Sequence, residues 1–229
     1  MFKIASSAFD NTEEVSSSKQ YRLMVAIAAL VIISLLASSG GSSIQHGISN
    51  PWEGFIWGIA EPVLGLDQLV FIVAIGLLSV RFVRGVYISM AFVLAALCGQ
   101  IIHLNLSGAE LAISTVSAAI AICTIISGMM FIFLPTTEIP WFAVTILAIM
   151  GGLSQGYVDS QAVISTDLVT KVIYLVAVTF TQTVIILSVR KISTIISKKA
   201  VNQLLPTTIH WIGLTFCAIG VVFLSNVLI

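Results

Sequence analysis

Apolar residues along this chain fall in runs of about the length that crosses a bilayer, which for a helix is roughly 20 residues. Seven such runs cover approximately 22–38, 55–80, 86–104, 109–134, 139–158, 168–189 and 204–229. Within each run the polar positions are too sparse to make a water-facing side. Backbone polar groups facing lipid must be satisfied internally, so such runs are helices rather than open strands. The pattern predicts an all-α, polytopic transmembrane helical bundle. The connections are short, so successive helices should be antiparallel neighbours. A polar, Ser-rich tail, 1–21, precedes the first span, and 55–229 makes a six-helix membrane domain. The first run ends in Ser38-Ser39-Gly40-Gly41-Ser42-Ser43. It reads either as an anchor or as a signal peptide, and cleavage would leave six spans with their orientation unchanged.

Composition agrees with this reading. Of 229 residues, 58% are hydrophobic and 9% charged, and the formal net charge is zero. Mean hydropathy is +1.10. An average soluble domain carries roughly 25% charged residues. A soluble globular protein and a disordered tail are therefore excluded, and there is no basic footprint for nucleic acid. Cys98, Cys123 and Cys217 lie inside apolar runs without CxxC spacing, which suits small buried core residues rather than disulfides or a zinc site.

Lys and Arg fix an orientation. Lys3, Lys19 and Arg22 precede the second span, Arg81 and Arg84 follow it, and Arg190, Lys191, Lys198 and Lys199 lie between the sixth and seventh. Nine of the ten basic residues thus fall on one side, leaving Lys171 apart. That side is expected to be cytoplasmic in a cell (inner) membrane, with the tail inside and Ile229 outside.

Charged groups in the bilayer cost about 2.5–3.5 kcal/mol each on insertion scales, so they mark where chemistry is concentrated. Glu53, Glu110, Glu138 and Asp167 sit at or near helix ends, where an acid is cheap. Glu61-Pro62-Val63-Leu64-Gly65-Leu66-Asp67-Gln68 is different. Asp67 lies twelve residues into its run, about 18 Å along a helix. Pro62 predicts a kink. In a straight helix Glu61, Gly65 and Gln68 would share a face, with Asp67 pointing elsewhere. A kink frees carbonyls that can ligate cations. A second cluster, Gln155-Gly156-Tyr157-Val158-Asp159, sets Gln155 and Asp159 one helical turn apart, within reach of one ion, unless Asp159 already lies in the outer loop. His46 and His103 are expected on the same outer side as Asp159, while His210 opens the last span beside Trp211. No phosphate-binding loop, HExxH or GxSxG occurs, so an enzyme is not expected. The last span has no lysine for a retinal Schiff base.

The segment from Gly47 to Asp159 resembles the HupE/UreJ family of small membrane proteins. The resemblance is carried by Gly54-Phe55-Ile56-Trp57-Gly58, Pro62-Val63-Leu64-Gly65-Leu66-Asp67-Gln68, Gly76-Leu77, Glu110 and Gln155-Gly156-Tyr157. It implies a first span or signal peptide followed by six helices, and nickel or cobalt permease activity. The family's His-Pro-x-x-Gly-x-Asp-His motif has Glu61 and Gln68 at its histidine positions here, with Asp67 kept. Its His-Gly-x-x-His motif has Gln155 and Asp159. Oxygen ligands replace four imidazoles, and oxygen suits magnesium, calcium or manganese better than nickel.

Two functions follow as expectations. One is a permease-like protein that binds or moves a divalent cation along Glu61, Asp67, Gln68, Gln155 and Asp159, with His103 as a further ligand. No permanently bound cofactor is expected, and transport would be passive, ion-coupled or driven by a separate ATPase subunit. The other is a non-transporting subunit or assembly factor of a larger membrane complex. Expected partners are the lipid bilayer and either other membrane proteins or further copies of the chain.

Overall fold

A computed structural model describes residues 48–105, 112–133, 139–199 and 205–228. The run at 22–38, His46, Glu110 and Glu138 lie outside the described residues. Among those described, seven α-helices follow one another: α1 Pro51–Leu64, α2 Leu66–Ser79, α3 Gly85–Asn105, α4 Ile113–Phe133, α5 Trp141–Asp159, α6 Leu168–Lys199 and α7 Leu205–Leu228. A 3₁₀ turn, Ser160–Val163, follows α5. The helices α3, α4 and α7, the core of α6, and α5 extended through its turn are each long and apolar enough to cross a membrane. The all-α, multi-pass architecture stands.

The span expected at 55–80 is two helices. Each half has 14 residues, about 21 Å at 1.5 Å per residue and short of the roughly 30 Å hydrocarbon core. They meet at a 70° bend. Pro62 is the predicted perturbation, yet the break lies three residues on, at Gly65, whose φ of −70° and ψ of 99° are extended. Without an N–H, Pro62 leaves the Gly58 carbonyl without its usual intrahelical donor. The chain still closes the last turn of α1, because Gly65 N–H donates to the Glu61 carbonyl at 3.0 Å. Leu69 N–H then donates to the Gly65 carbonyl at 2.8 Å, starting α2. A straight face shared by Glu61, Gly65 and Gln68 therefore does not exist.

The start of α1 is fixed locally. Asn50 caps it by accepting from Glu53 N–H at 2.9 Å, and Pro51 occupies the first turn, where a missing N–H costs nothing. The Glu53 carboxylate accepts from Ser49 N–H and Oγ–H, both at 2.8 Å. Glu53 is thus an end-capping acid, as its position suggested.

The second half-helix is the hub. α2 packs against each of the other six helices. Phe71, Ile72, Ala74, Ile75 and Leu78 are fully buried, and they join Phe92, Ile120, Val144, Ala148 and Ile186 in one core. Around the hub, pairs of helices meet through small residues, as membrane interfaces do where lipid supplies no hydrophobic drive. On α1, Gly54 and Gly58 lie against α6, and a Cβ on Gly58 would stand 2.7 Å from the Ala177 methyl. Gly128 of α4 meets Gly213 and Cys217 of α7, and α3 meets α5 at Gly99, Gly152 and Gly156. Trp52, Tyr87, Phe180, Trp211 and Val222 cover the outside, as a lipid-facing surface requires.

Two further expectations change. The connection expected at 190–203 begins as helix, since α6 runs 32 residues to Lys199. That is about 48 Å, longer than the hydrocarbon is thick. Arg190, Lys191, Lys198 and Lys199 ride on this continuous helix. Cys98 is exposed rather than buried, whereas Cys123 is buried and Cys217 half-buried. Cys98 falls on the outer face of α3, away from the side that meets α5, so it faces lipid.

Candidate functional site

The break at Gly65 puts two helix ends inside the bundle. Glu61 is in the last turn of α1, and Asp67 in the first turn of α2. An acid suits a helix N-terminus, where free N–H groups and the dipole favour negative charge. Both side chains are half-buried, and Gln68 beside them is buried.

The partner surface comes from α5. Gly151, Gln155 and Asp159 recur every four residues and form one stripe. At its inner end a Cβ on Gly151 would touch the Phe71 ring of α2. At its outer end stands Asp159, fully buried. It ends the helix instead of lying in an outer loop. Gln182 of α6 donates through Nε2 to Asp159 Oδ2 at 2.9 Å. Tyr174 of α6, also fully buried, donates its hydroxyl to the Asp159 carbonyl at 2.8 Å. The carboxyl groups near enough to act on the Asp159 carboxyl are those of Glu61 and Asp67, and the Gln100 and Gln68 carboxamides stand beside it. Acids from α1 and α2 therefore stand near the buried acid of α5. Four helices each contribute one glutamine: Gln68, Gln100, Gln155 and Gln182.

These glutamines are poorly satisfied by the protein. Gln155 and Gln100 are fully buried, yet both amide atoms of each lack a hydrogen-bond partner. Gln68 Oε1, Gln182 Oε1 and Asp159 Oδ1 are also unpaired. The approach of Gln100 and Gln68 to Asp159 is thus close but not aligned as a hydrogen bond. Buried polar atoms without partners cost about 1–3 kcal/mol each, and these belong to residues on four helices, α2, α3, α5 and α6. Among the described residues, no three His, Cys, Asp or Glu side chains stand close enough to share one metal ion directly.

His103 closes the outer edge. Its ring stacks on Tyr157 at 3.8 Å between centroids. Its Nδ1 lies 2.7 Å from Ser160 Oγ. The Ser160 hydroxyl donates to the Tyr157 carbonyl at 2.9 Å, which uses its single proton. Nδ1 is then the donor to Ser160. A second hydrogen bond of this kind is what orients a metal-ligating imidazole. His103 is thereby fixed against Ser160, the residue that follows Asp159.

Of the sequence-derived candidates, Glu61, Asp67 and Gln68 stand near Asp159, Gln155 lies one turn before it on α5, and His103 reaches the neighbouring Ser160. Gln182, Tyr174 and the role of Gln100 were missed. Their signal was present: Gln100 and Gln182 are the carboxamides within otherwise apolar runs, but weight fell on charge. Asp167 belongs elsewhere, as the cap of α6, where it accepts from Thr170 Oγ–H and from the N–H groups of Val169 and Thr170.

A family model described as HupE / UreJ protein matches residues 25–223. No curated protein and no solved structure matches the chain at a significant level. The family match spans the broken helix, the α5 stripe and the helices that enclose them, so the chain belongs to the HupE / UreJ family.

Proposed function

We propose that this multi-pass membrane protein is a permease for a divalent cation, with Glu61, Asp67 and Asp159 forming its recognition site. The observation that carries the reading is the Asp159 carboxyl, fully buried with Oδ1 unpaired, with the acids Glu61 and Asp67 near it. Like charges so placed repel one another, and burial denies them water. A divalent cation offsets both penalties at once. The broken helix adds to this: α1 ends beside the site, and carbonyls at an interrupted helix are suited to cations. Membership of a metal-transport-related family supports the same reading. With carboxylate and carboxamide oxygen where the family's motifs carry imidazole, the cargo is a hard cation, manganese or magnesium in preference to nickel or cobalt. His103 Nε2, at the outer edge, offers a first contact for the incoming ion.

The direction follows from the same placement. Asp159 and His103 lie toward the side opposite the basic residues, so the site opens outward in a cell membrane with its basic face inside. The test is total metal content of cells with and without the protein, scanned over magnesium and the first-row transition metals. Asp159→Asn and Asp67→Ala serve as controls, with membrane insertion checked for each. A selective rise that both substitutions abolish is expected. Unchanged content for every metal would overturn the reading in favour of a non-transporting subunit of a larger complex.

A further inference from the structure

We infer that α1 is a hinged gate, which turns about Gly65 and lifts from α6 to open the buried Asp159 site to the outer side. This deepens the permease reading and rests on it.

The site is closed as it stands. Asp159, Gln100, Gln155 and Gln182 have no exposed surface, so an ion reaches them only when a covering element moves. α2 is not that element. Eleven of its fourteen residues are buried, and it carries the main core. α1 is the opposite. Its buried residues are Gly54, Gly58 and Pro62, none of which has a large side chain to withdraw. No α1 residue belongs to the main core. Trp57, with Ile48 just before the helix, packs instead on a separate small cluster with Val163, Tyr174 and Val178. α1 can therefore part from the bundle without opening its core, and gating elements are drawn from such lightly held parts of a fold.

The cover lies over the site. α1 rests on α6, with Gly54 against Thr170 and Gly58 against Tyr174, Ala177 and Val178. Within that stretch Tyr174 donates its hydroxyl to the Asp159 carbonyl. Glu61, in the last turn of α1, stands near both the Tyr174 hydroxyl and the Asp159 carboxyl. Lifting α1 uncovers Tyr174 and withdraws Glu61 from Asp159. The seam between Gly54, Gly58, Thr170 and Ala177 is van der Waals contact between small residues, and in lipid no hydrophobic drive holds such a seam shut.

The hinge is a single residue. Gly65 N–H is bonded back into α1, and its carbonyl forward into α2. Rotation about its φ and ψ swings one helix against the other and breaks neither bond. Glycine has the widest choice of φ and ψ, and a Cβ here would stand 2.9 Å from Gln68 Oε1.

The test pins the end of α1 far from the hinge. A Cβ on Gly54 would lie 3.0 Å from Thr170 Cγ2. That methyl is one bond from Thr170 Cβ, so cysteines at the two positions have Cβ atoms within about 4.5 Å, the reach of a disulfide. The full chain carrying Gly54→Cys and Thr170→Cys is placed in lipid vesicles and oxidised with diamide. Uptake of manganese chloride is measured before and after reduction with a phosphine. With roughly nine molecules in ten cross-linked, uptake should be about tenfold slower than after reduction, because only the unlocked remainder can hinge open. Each single variant, oxidised in the same way, should be unaffected. Cross-linked protein that transports as fast as the reduced form would overturn the gate and leave the permease reading standing. Wild-type vesicles that take up neither manganese nor magnesium would overturn both. Where the reduced double variant itself does not transport, spin labels decide. They are carried by Trp52→Cys of α1 and Ile146→Cys of α5, both exposed positions, with Cys98 and Cys217 replaced by alanine. Two label distances whose weights magnesium shifts are expected, and one distance that magnesium leaves unchanged would overturn the gate.

Discussion

Replacing Gly156 by alanine adds one methyl group where α3 and α5 are closest. A Cβ on Gly156 would lie 1.8 Å from the Ala96 carbonyl oxygen and 2.7 Å from its carbon. Ordinary contact is about 3.5 Å, so the two helices must part by roughly 1.7 Å. The obstacle is backbone within a helix and cannot swing aside as a side chain does. Gly99 and Gly152 pack on the same interface, and a Cβ on Gly99 would lie 2.2 Å from the Leu153 carbonyl oxygen. The separation therefore loosens the whole seam. Overpacking of this kind costs about 1–3 kcal/mol, occasionally more, and the rigid partner puts Gly156→Ala at the upper end, about 3 kcal/mol. For a chain of this size that is a melting temperature lower by roughly 6–12 °C. The move also carries Asp159 off Gln100, so the uptake proposed above should fall with stability. The control is Gly76→Ala, whose Cβ would lie 2.9 Å from Val189 Cγ1 and 3.1 Å from its Cβ, a milder contact that a shift of about half an ångström relieves. Thermal unfolding in one detergent, followed by circular dichroism, compares the two. A Gly156→Ala protein melting within about 2 °C of wild type would refute the close seam.

Further outcomes follow from single contacts. Tyr174→Phe removes the hydroxyl that donates to the Asp159 carbonyl, and should cost about 1 kcal/mol, measured by the same melt. Asn50→Ala removes the cap of α1, and should also cost about 1 kcal/mol, seen as faster amide exchange at Glu53. The Asp167 carboxyl is held below its ordinary value by the Thr170 hydroxyl and then the Thr170 N–H. Its capping is therefore complete above the ordinary aspartate pKa of about 3.9 and lost as pH falls through the lower folded value. Hydrogen exchange at Val169 and Thr170, normalised for intrinsic rate, should rise over that acid interval, and Asp167→Ala should exchange fast at every pH. A phosphatase fused after Ile229 should be active in cells, and a fusion in the Arg81–Arg84 turn silent, if the basic face is cytoplasmic.

How much of this is legible in the sequence depends on the range of the interaction that decides it. Span number and boundaries depend on local hydropathy, and 86–104, 139–158 and 204–229 lie within a few residues of α3, α5 and α7. The break at Gly65 is harder to see. Pro62 flags a disturbance, but the chain can absorb it as a kink or as an interruption. Packing against six neighbouring helices, not any local signal, favours two short helices here. The extension of α6 to Lys199 hides for the opposite reason, because charge ends a hydrophobic run without ending a helix. The site divides in the same way. Acids inside apolar runs announce themselves through the cost of burying charge, so Glu61, Asp67 and Asp159 could be selected one by one. A buried glutamine is a weaker signal, since its amide is cheaper to bury than a charge and is often satisfied by a neighbouring helix. What sets Gln100 and Gln155 apart is that no such neighbour satisfies them, a property of the assembled bundle that no single run contains. One glutamine on each of four helices is the pattern that sequence could have offered. Only when Gln182 is bonded to Asp159, and Gln68 and Gln100 stand beside the same carboxyl, does that pattern become one polar cluster around a buried acid.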